Sequence, residues 1–148
     1  KEPVDIFAMA KSIADRLKTI ASKNDVTINV SGEKTVINGI NYILDEIIYN
    51  LCENAVKYNK TGGEVNVFVG IEDNKPIIRV SDTGIGIPKD QCSRIFERFY
   101  RVDKSHSRKI GGTGLGLSIV KHGAAFHNAH IEVNSKPGEG TVFTVVFD

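Results

Sequence analysis

Polar side chains recur at three- and four-residue steps between positions 46 and 58, a spacing that places them on one face of a helix. The row consists of Glu46, Asn50, Asn54, Lys57 and Tyr58. Amide oxygens suit a hard cation such as Mg²⁺, which keeps several waters and takes phosphate ligands. We therefore predict Asn54 as a metal ligand, Lys57 as a phosphate contact and Tyr58 as a neighbour of a nucleotide. Asn50 and Glu46 would orient water or a phosphate. The competing interpretation is a solvated face on which Asn50 caps a turn.

A carboxylate stands directly before a glycine-rich segment at residues 82–88, Asp-Thr-Gly-Ile-Gly-Ile-Pro. Strand alternation places Asp82 on the same face as Ile78 and Val80. A carboxylate at the end of an apolar face needs a strong donor, and the glycines allow a ligand to approach the backbone closely. Asp82 could accept the exocyclic amine of adenine. Alone, the segment is more typical of an Asx turn or a helix N-cap.

A second glycine-rich segment, residues 111–117, runs Gly-Gly-Thr-Gly-Leu-Gly-Leu into a helical pattern. Such a segment can present backbone amides and a helix N-terminus to an anion. A flexible loop that enters a helix remains the alternative. Other glycine motifs fit poorly: Ile119 stands where the last glycine of a dinucleotide fingerprint belongs, and the Gly-Lys-Ser/Thr ending of a P-loop is missing.

Two arginines stand among aromatic residues in the segment 96–101, Phe-Glu-Arg-Phe-Tyr-Arg. Arginine suits phosphate oxygens and stabilises charge in phosphoryl transfer. Arg101 opens a long cationic loop, so we favour Arg101 as the phosphate contact. The alternative is a helix end with Phe96 and Phe99 in the core and both arginines solvated.

Bulk properties restrict the class of protein. The 148 residues are enough for one domain with a single core. A net charge of +1 argues against nucleic-acid binding. Two cysteines without a disulfide framework favour a reducing compartment. The chain contains no apolar run of about 20 residues and no signal-peptide pattern. Because it does not begin with methionine, we expect a piece of a longer protein.

Hydrophobic periodicity predicts the helices and strands that hold these residues in place. Amphipathic helices are predicted at 6–22, 40–58 and 114–126, the second with an apolar stripe suited to a core. Strands are predicted at 26–30, 35–37, 65–71, 76–82, 129–133 and 141–147, with a turn at Asp73-Asn74. Antiparallel hairpins mixed with three long helices indicate a two-layer α/β sandwich.

Four of these segments, in this order, resemble the sequence boxes of the ATP-binding catalytic domain of bacterial sensor histidine kinases. That domain belongs to the superfamily of gyrase, Hsp90, histidine kinase and MutL ATPases. The N, G1, F and G2 boxes match residues 50–58, 82–88, 95–101 and 112–117. Each box alone is a moderate signal, whereas four in order are highly specific. The ending at 138–143 also resembles the last hairpin of the family, so the resemblance covers essentially the whole chain.

The resemblance implies a Bergerat-type fold: an α/β (α+β) two-layer sandwich with a mixed, mostly antiparallel sheet, three backing helices and a mobile ATP lid at 101–113. It implies ATP and Mg²⁺ as cofactors. Expected nucleotide contacts follow the boxes and the last hairpin: Asn54, Tyr58, Asp82, Gly84, Gly86, Ile87, Tyr100, Gly112, Thr113, Gly114, Leu115, Gly116, Leu117 and Thr141. Residues expected to act in phosphoryl transfer are Glu46, Asn50, Lys57 and Arg101, and Asn54 is the expected metal ligand.

The resemblance further implies a kinase that transfers the ATP γ-phosphoryl group to a histidine on a separate dimerisation domain. None of the four histidines here has the pattern of that phosphoacceptor. The fragment is therefore expected to bind ATP without autophosphorylating. A response regulator would act downstream, and the parent protein is expected to be homodimeric and associated with the bacterial membrane, with this domain in the cytoplasm.

Two further classes share the fold: a serine kinase of the anti-sigma type and a non-catalytic regulatory nucleotide-binding module. A structural interaction domain is a third alternative. Departures from the family pattern are small. His127-Asn128-Ala129 replaces a His-Gly-Gly turn, where Asn tolerates a left-handed backbone, and Gly123 interrupts a helix. His122 and His127 are predicted to be surface or boundary residues.

Overall fold

The computed structural model describes residues 1–92, 94–97 and 116–148. Its helices are α1 Ile6–Arg16, α2 Lys18–Lys23, α3 Asn41–Lys57 and α4 Gly116–Phe126, with a 3₁₀ turn at Lys89–Gln91. Its strands are β1 Glu2–Asp5, β2 Thr27–Gly32, β3 Val36–Gly39, β4 Glu64–Glu72, β5 Lys75–Asp82, β6 Ala129–Lys136 and β7 Gly140–Phe147. The predicted lid at 101–113 lies outside the described residues.

Five strands form one mixed sheet in the order β2-β4-β5-β7-β6. Only the β2–β4 pair is parallel; the other three pairs are antiparallel. The β4–β5 hairpin turns at Asp73 and Asn74, whose φ angles of 53° and 66° suit the tight turns that join twisted strands. These findings confirm the predicted sandwich and its mostly antiparallel sheet.

The core lies between this sheet and the helices. On α3 the predicted apolar stripe is 0–4% exposed; it consists of Leu44, Ile47, Ile48, Leu51 and Ala55. Val65, Val67 and Val69 of β4 oppose them and are at most 1% exposed. Every second side chain of β4 is buried, and these side chains face the stripe of α3 that recurs about every 3.6 residues. Burial of this stripe determines which face of α3 is turned away from the core.

The first predicted helix is divided at Leu17, where φ is −92° and ψ is 0°. The bend keeps both Ile13 and Ala21 buried as the segment wraps around the core. The prediction of one continuous helix over 6–22 was therefore wrong. The start at Ile6 has a clear local cause, because the Asp5 Oδ1 accepts the N–H groups of Phe7 and Ala8.

Sequence patterning missed strand β1, which pairs with β3 as a two-stranded antiparallel ribbon. Pro3 lowers the strand signal because it lacks an N–H, but an edge position tolerates it. Strand β3 of this ribbon ends at Gly39, directly ahead of α3.

The prediction for His127 was wrong. This side chain is 7% exposed, its Nε2 accepts the Ile40 N–H at 3.0 Å and its Nδ1 lies 2.8 Å from the Gly123 carbonyl oxygen. The ring thus caps α3, whose own N-cap residue Ile40 provides no side-chain bond. The following Asn128 has φ of 56°, which confirms the expected left-handed turn.

Candidate functional site

Helix α3 presents the predicted polar row on the side away from the apolar stripe. The Glu46 side chain is exposed, and Asn50, Asn54 and Lys57 are half-buried. The Asn50 amide donates from Nδ2 to the Glu46 carbonyl at 2.7 Å. This bond fixes the amide, so Oδ1 is the atom that Asn50 offers to a ligand. The amide oxygen faces the first residue of α4: a Cβ on Gly116 would lie 3.0 Å from it.

Lys57 is already engaged by a neighbour on the same helix. Its Nζ lies 3.6 Å from the Glu53 Oε1, one turn away, and both side chains are about one quarter exposed. Pairs of this kind stabilise a helix by a few tenths of a kcal/mol. Such a weak pair can be exchanged for a phosphate contact without a large loss.

Asp82 ends β5 with its two carboxylate oxygens in different situations. Oδ1 accepts the Gly84 N–H at 2.9 Å and the Thr141 N–H at 3.2 Å. Within the described residues, no protein donor lies on Oδ2. Burial raises the pKa of Asp82 to about 6, although the two N–H groups act in the opposite direction. The group is therefore mostly a carboxylate at pH 7, with one oxygen fixed and one free to accept a ligand donor.

The segment after Asp82 is packed tightly against the end of α3. The Ile85 N–H donates to the Tyr58 carbonyl at 3.1 Å, and a Cβ on Gly84 would overlap that same carbonyl oxygen. Only glycine allows this approach. The contact brings the polar row of α3 and the Asp82 segment into one site, which the sequence alone could not show.

A side-chain network reinforces this junction. The Thr83 hydroxyl accepts the Glu64 N–H at 3.0 Å and lies 3.1 Å from the Asn59 Oδ1. The Asn59 Nδ2 in turn donates to the Glu64 carbonyl at 3.0 Å. Neither Asn59 nor Thr83 was predicted to act here. In the sequence, only their positions pointed to the site: Asn59 directly follows the N box at 50–58, and Thr83 lies inside the G1 box at 82–88.

The β6–β7 hairpin closes over the other side of the same segment. The Gly138 N–H donates to the Ile85 carbonyl at 2.8 Å, and the Ser135 hydroxyl accepts the Ile87 N–H at 2.7 Å. Gly86, with φ of +73°, lies against the Lys136 carbonyl so closely that no Cβ would fit. Thr141, 5% exposed, stands opposite Ser135 in the hairpin register. A turn at Pro137-Gly138 predicts that register, and this signal could have identified Ser135.

The described members of the predicted site lie on elements that contact one another through Tyr58 with residues 84–85, Asn50 with Gly116, and Asp82 with Thr141. These members are Glu46, Asn50, Asn54, Lys57, Tyr58, Asp82, Gly84, Gly86, Ile87, Gly116, Leu117 and Thr141. Gly116 and Leu117 open α4, as the helix pattern indicated. Several predicted contacts lie outside the described residues: Tyr100, Arg101, Gly112, Thr113, Gly114 and Leu115. Phe96 packs edge-to-face on Phe143 at 6.2 Å, which agrees with the alternative interpretation that placed Phe96 in the core.

The donor set of the site bears on whether it could hold a hydrated magnesium ion. No group of three or more His, Cys, Asp or Glu side chains within the described residues could hold a metal by itself. The Asn54 side chain makes no hydrogen bond to any described residue, so its amide oxygen is available. One amide oxygen suits Mg²⁺ when phosphates and waters supply the remaining ligands.

Comparison with known proteins places the chain in a family. Residues 39–148 match the profile described as Histidine kinase-, DNA gyrase B-, and HSP90-like ATPase. The sensor-like histidine kinase SenX3 of Mycolicibacterium smegmatis is 40% identical over 145 residues, which cover 97% of this chain and 38% of that protein. The phosphate regulon sensor protein PhoR of Pseudomonas aeruginosa is 37% identical over 147 residues, 99% of this chain and 33% of PhoR.

Solved structures of sensor histidine kinases have the same fold as this chain. The mycobacterial sensor histidine kinase MprB superimposes with a TM-score of 0.84 at 28% identity, covering 99% of this chain and 95% of that one. Full-length ShkA in complex with AMPPNP gives 0.82 at 27% identity, covering 98% and 30%.

The chain spans about a third of the length of the curated relatives it matches. Among the described residues, no helix is both long and apolar enough to cross a bilayer. The profile match over most of the chain, the relatives and the fold lead to one conclusion: the chain belongs to the histidine kinase-, DNA gyrase B- and HSP90-like ATPase family, and it is similar to the ATP-binding catalytic domains of sensor histidine kinases.

Proposed function

We propose that this chain is the Mg²⁺-dependent ATP-binding catalytic domain of a two-component sensor histidine kinase. It would transfer the γ-phosphoryl group of ATP to a histidine on a separate dimerisation domain. The observation that carries the proposal is the half-satisfied carboxylate of Asp82, joined to the polar row of α3 through the bond from Ile85 to Tyr58. An adenine end and a phosphate end thereby belong to one site.

At the adenine end, Asp82 keeps Oδ1 on two backbone donors and offers Oδ2 to the exocyclic amine. The glycines at 84 and 86 hold the segment against Tyr58 and Lys136, so the base would meet a surface that is already formed. A buried acceptor that finds its donor only in the correct ligand gives strong discrimination.

At the phosphate end, Asn54 would hold Mg²⁺ through its amide oxygen. When bound, this ion neutralises phosphate charge and orients the transferring group. Lys57 would exchange Glu53 for a phosphate oxygen, and Asn50 would present Oδ1 toward water or phosphate beside Gly116. Glu46 is exposed at the far end of the row, where it can orient the incoming nucleophile. Arg101, Tyr100 and the 112–115 amides are proposed to complete the phosphate contacts.

The acceptor histidine would come from the dimerisation domain of the parent kinase, and a response regulator would receive the phosphoryl group next. The proposed parent is a membrane-associated homodimer, with this domain on the cytoplasmic side. The resemblance to the sensor kinases supports this arrangement.

The test is phosphoryl transfer in trans. The chain is mixed with Mg²⁺, γ-labelled ATP and the dimerisation domain of the parent kinase, and label is followed on both polypeptides. We expect label on the dimerisation domain alone, in a linkage that is labile to acid and stable to alkali, as phosphohistidine is. Acid-stable label would favour the serine-kinase alternative. Binding without transfer would favour a regulatory module, and strong labelling of the isolated chain would contradict the proposal.

A further inference from the structure

The Asn59 amide lies between the end of α3 and the start of β4, and its two polar atoms have partners of opposite kind. Oδ1 accepts the Lys60 N–H at 2.8 Å, and Nδ2 donates to the Glu64 carbonyl at 3.0 Å. A backbone N–H can only donate and a carbonyl can only accept, so turning the amide over would break both bonds. The side chain is therefore held in one orientation.

The Thr83 hydroxyl joins this amide to the strand that ends in Asp82. Its oxygen accepts the Glu64 N–H at 3.0 Å, and its hydrogen is left for the Asn59 Oδ1 at 3.1 Å. The Glu64 carbonyl lies 3.5 Å away, which makes it the weaker acceptor for that hydrogen. One amide thereby links the end of α3 to the adjoining ends of β4 and β5.

Two glycines leave room for Asn59 and no more. A Cβ on Gly63 would overlap the Asn59 amide oxygen and would lie 2.7 Å from the Thr83 Oγ1. On the other side, a Cβ on Gly84 would lie 3.0 Å from the Asn59 Cα. Groups packed this closely cannot shift separately without losing contacts. The separation between α3 and the Asp82 segment is therefore set at Asn59.

Asn59 stands between residues that are proposed for opposite ends of the nucleotide. Lys57 and Tyr58 precede it on α3, and Asp82 directly precedes its partner Thr83. We infer that Asn59 is a positioning residue that acts through Thr83 and sets the distance between the adenine end and the phosphate end. This assignment rests on the proposed nucleotide site. A ligand that spans two subsites gains affinity from their correct spacing, because binding of one part brings the other part to its own subsite.

A spacing role and a local structural role predict different effects on different ligands. ADP spans both ends, whereas adenosine occupies only the adenine end and magnesium pyrophosphate only the phosphate end. Loss of spacing would weaken ADP and spare both fragments. If Asn59 only supported the Asp82 segment, adenosine would weaken by the same factor as ADP, and if it only supported the end of α3, pyrophosphate would.

The experiment compares the three ligands in the wild type, Asn59→Ala and Thr61→Ala. ADP binding is measured by titration calorimetry with Mg²⁺, and the weak fragments are compared by the initial slopes of their NMR shift titrations. We expect Asn59→Ala to lower ADP affinity about tenfold and to leave both fragments within about twofold of the wild type. Thr61→Ala, at an exposed position two residues further on, is the matched control and should bind all three ligands as the wild type does.

Thr83→Val removes the hydroxyl with little change of side-chain shape, and we expect the same pattern from it. Its effect should not add to that of Asn59→Ala, because both substitutions break one link. If Asn59→Ala does not fold, Thr83→Val decides by the same comparison. ADP affinity within about threefold of the wild type would overturn the inference, as would a fragment that weakens as much as ADP does. Failure of the proposed function has a separate signature, which is no ADP binding by the wild type.

Discussion

The two ends of the proposed nucleotide site, called the adenine end and the phosphate end, differ in how far the protein satisfies its own polar atoms. At the adenine end, Asp82, Thr141 and Ser135 are joined by short bonds to backbone groups of the segment 84–87 and of the hairpin. At the phosphate end, the Asn54 side chain makes no hydrogen bond to a described residue, and Lys57 has a weak ion pair with Glu53. The adenine end is therefore formed before a ligand binds. At the phosphate end, the side chains can exchange their present contacts for contacts with a ligand.

This difference suggests a division of labour. Pre-formed acceptors supply selectivity for the base, because a wrong base leaves them unpaired. Loosely engaged amide and amine groups suit a metal and phosphates, whose charge moves during transfer. Substitutions at the adenine end should therefore abolish binding, whereas those at the phosphate end should change its dependence on metal and charge.

The largest effect is expected from Asp82→Asn. The new amide can keep an oxygen on Gly84 and Thr141, but its NH₂ then faces the adenine amine, and two donors oppose each other. We expect ADP affinity to fall by about 100-fold or more in titration calorimetry. Asp73→Asn, in the turn at the opposite end of the same hairpin, is the matched control and should bind as the wild type does. Binding by Asp82→Asn within threefold of wild type would refute the adenine assignment.

The same variant should not lose stability. The folded pKa of Asp82 is about 6 against an ordinary 3.8, so its contribution to stability is complete below pH 4 and is lost as pH rises to about 6. At pH 7 the buried carboxylate costs the fold about 2–3 kcal/mol by this shift. Urea unfolding of Asp82→Asn at pH 7 should show equal or higher stability than wild type. A large loss would mean that Asp82 is structural.

Asn54→Ala tests the opposite end. Removing the amide oxygen takes away the proposed metal ligand without exposing the core, since Asn54 is half-buried on the polar row. In Mg²⁺, ADP affinity should fall about tenfold or more, to the value that wild type shows in EDTA. Asn41→Ala, at the exposed start of the same helix, should leave affinity unchanged. Retention of the full Mg²⁺ effect in Asn54→Ala would contradict the assignment.

Acid should weaken binding through the protonation of Asp82. With Oδ1 held by two N–H groups, a proton would occupy Oδ2, the atom that must accept from adenine. ADP affinity should be flat above pH 7 and fall below about pH 6, approaching tenfold per pH unit. The profile is measured by calorimetry in buffers of matched ionic strength. The same fall in Asp82→Asn would assign the titration to another group.

The smallest effect is expected from Glu53→Gln. The substitution removes the charge that holds Lys57 at 3.6 Å and frees the amine for phosphate. Because exposed ion pairs are worth less than about 1 kcal/mol, ATP affinity should rise only two- to threefold, with little change in stability. Asp45→Asn, on the same helix but paired with Arg16, is the control and should not change affinity. A fall in affinity would indicate that Glu53 has a direct role at the phosphates.

Local patterns predicted the elements that have regular periodicity. The apolar stripe of α3 and the alternation in β4 and β5 follow from burial on one face, and the Asp73-Asn74 turn follows from its residue types. Strand β1 and the buried His127 could not be predicted, because each depends on a partner distant in sequence: β3 for the strand, and Ile40 with Gly123 for the ring.

Candidate site residues could be named from the sequence, but the contacts that join them could not. The types and spacing of Asn54, Lys57 and Asp82 indicated their chemistry. The contact of Ile85 with Tyr58 and the bonds of Ser135 depend on how the hairpin closes over residues 84–87. Such three-dimensional contacts leave little local signal.

A crystal structure of this chain with Mg²⁺ and a non-hydrolysable ATP analogue would show both ends of the proposed site at once. We expect the adenine amine within about 3 Å of the Asp82 Oδ2, and the Asn54 amide oxygen about 2.1 Å from Mg²⁺. A nucleotide bound elsewhere, or an adenine amine bonded to a group other than Asp82, would contradict it.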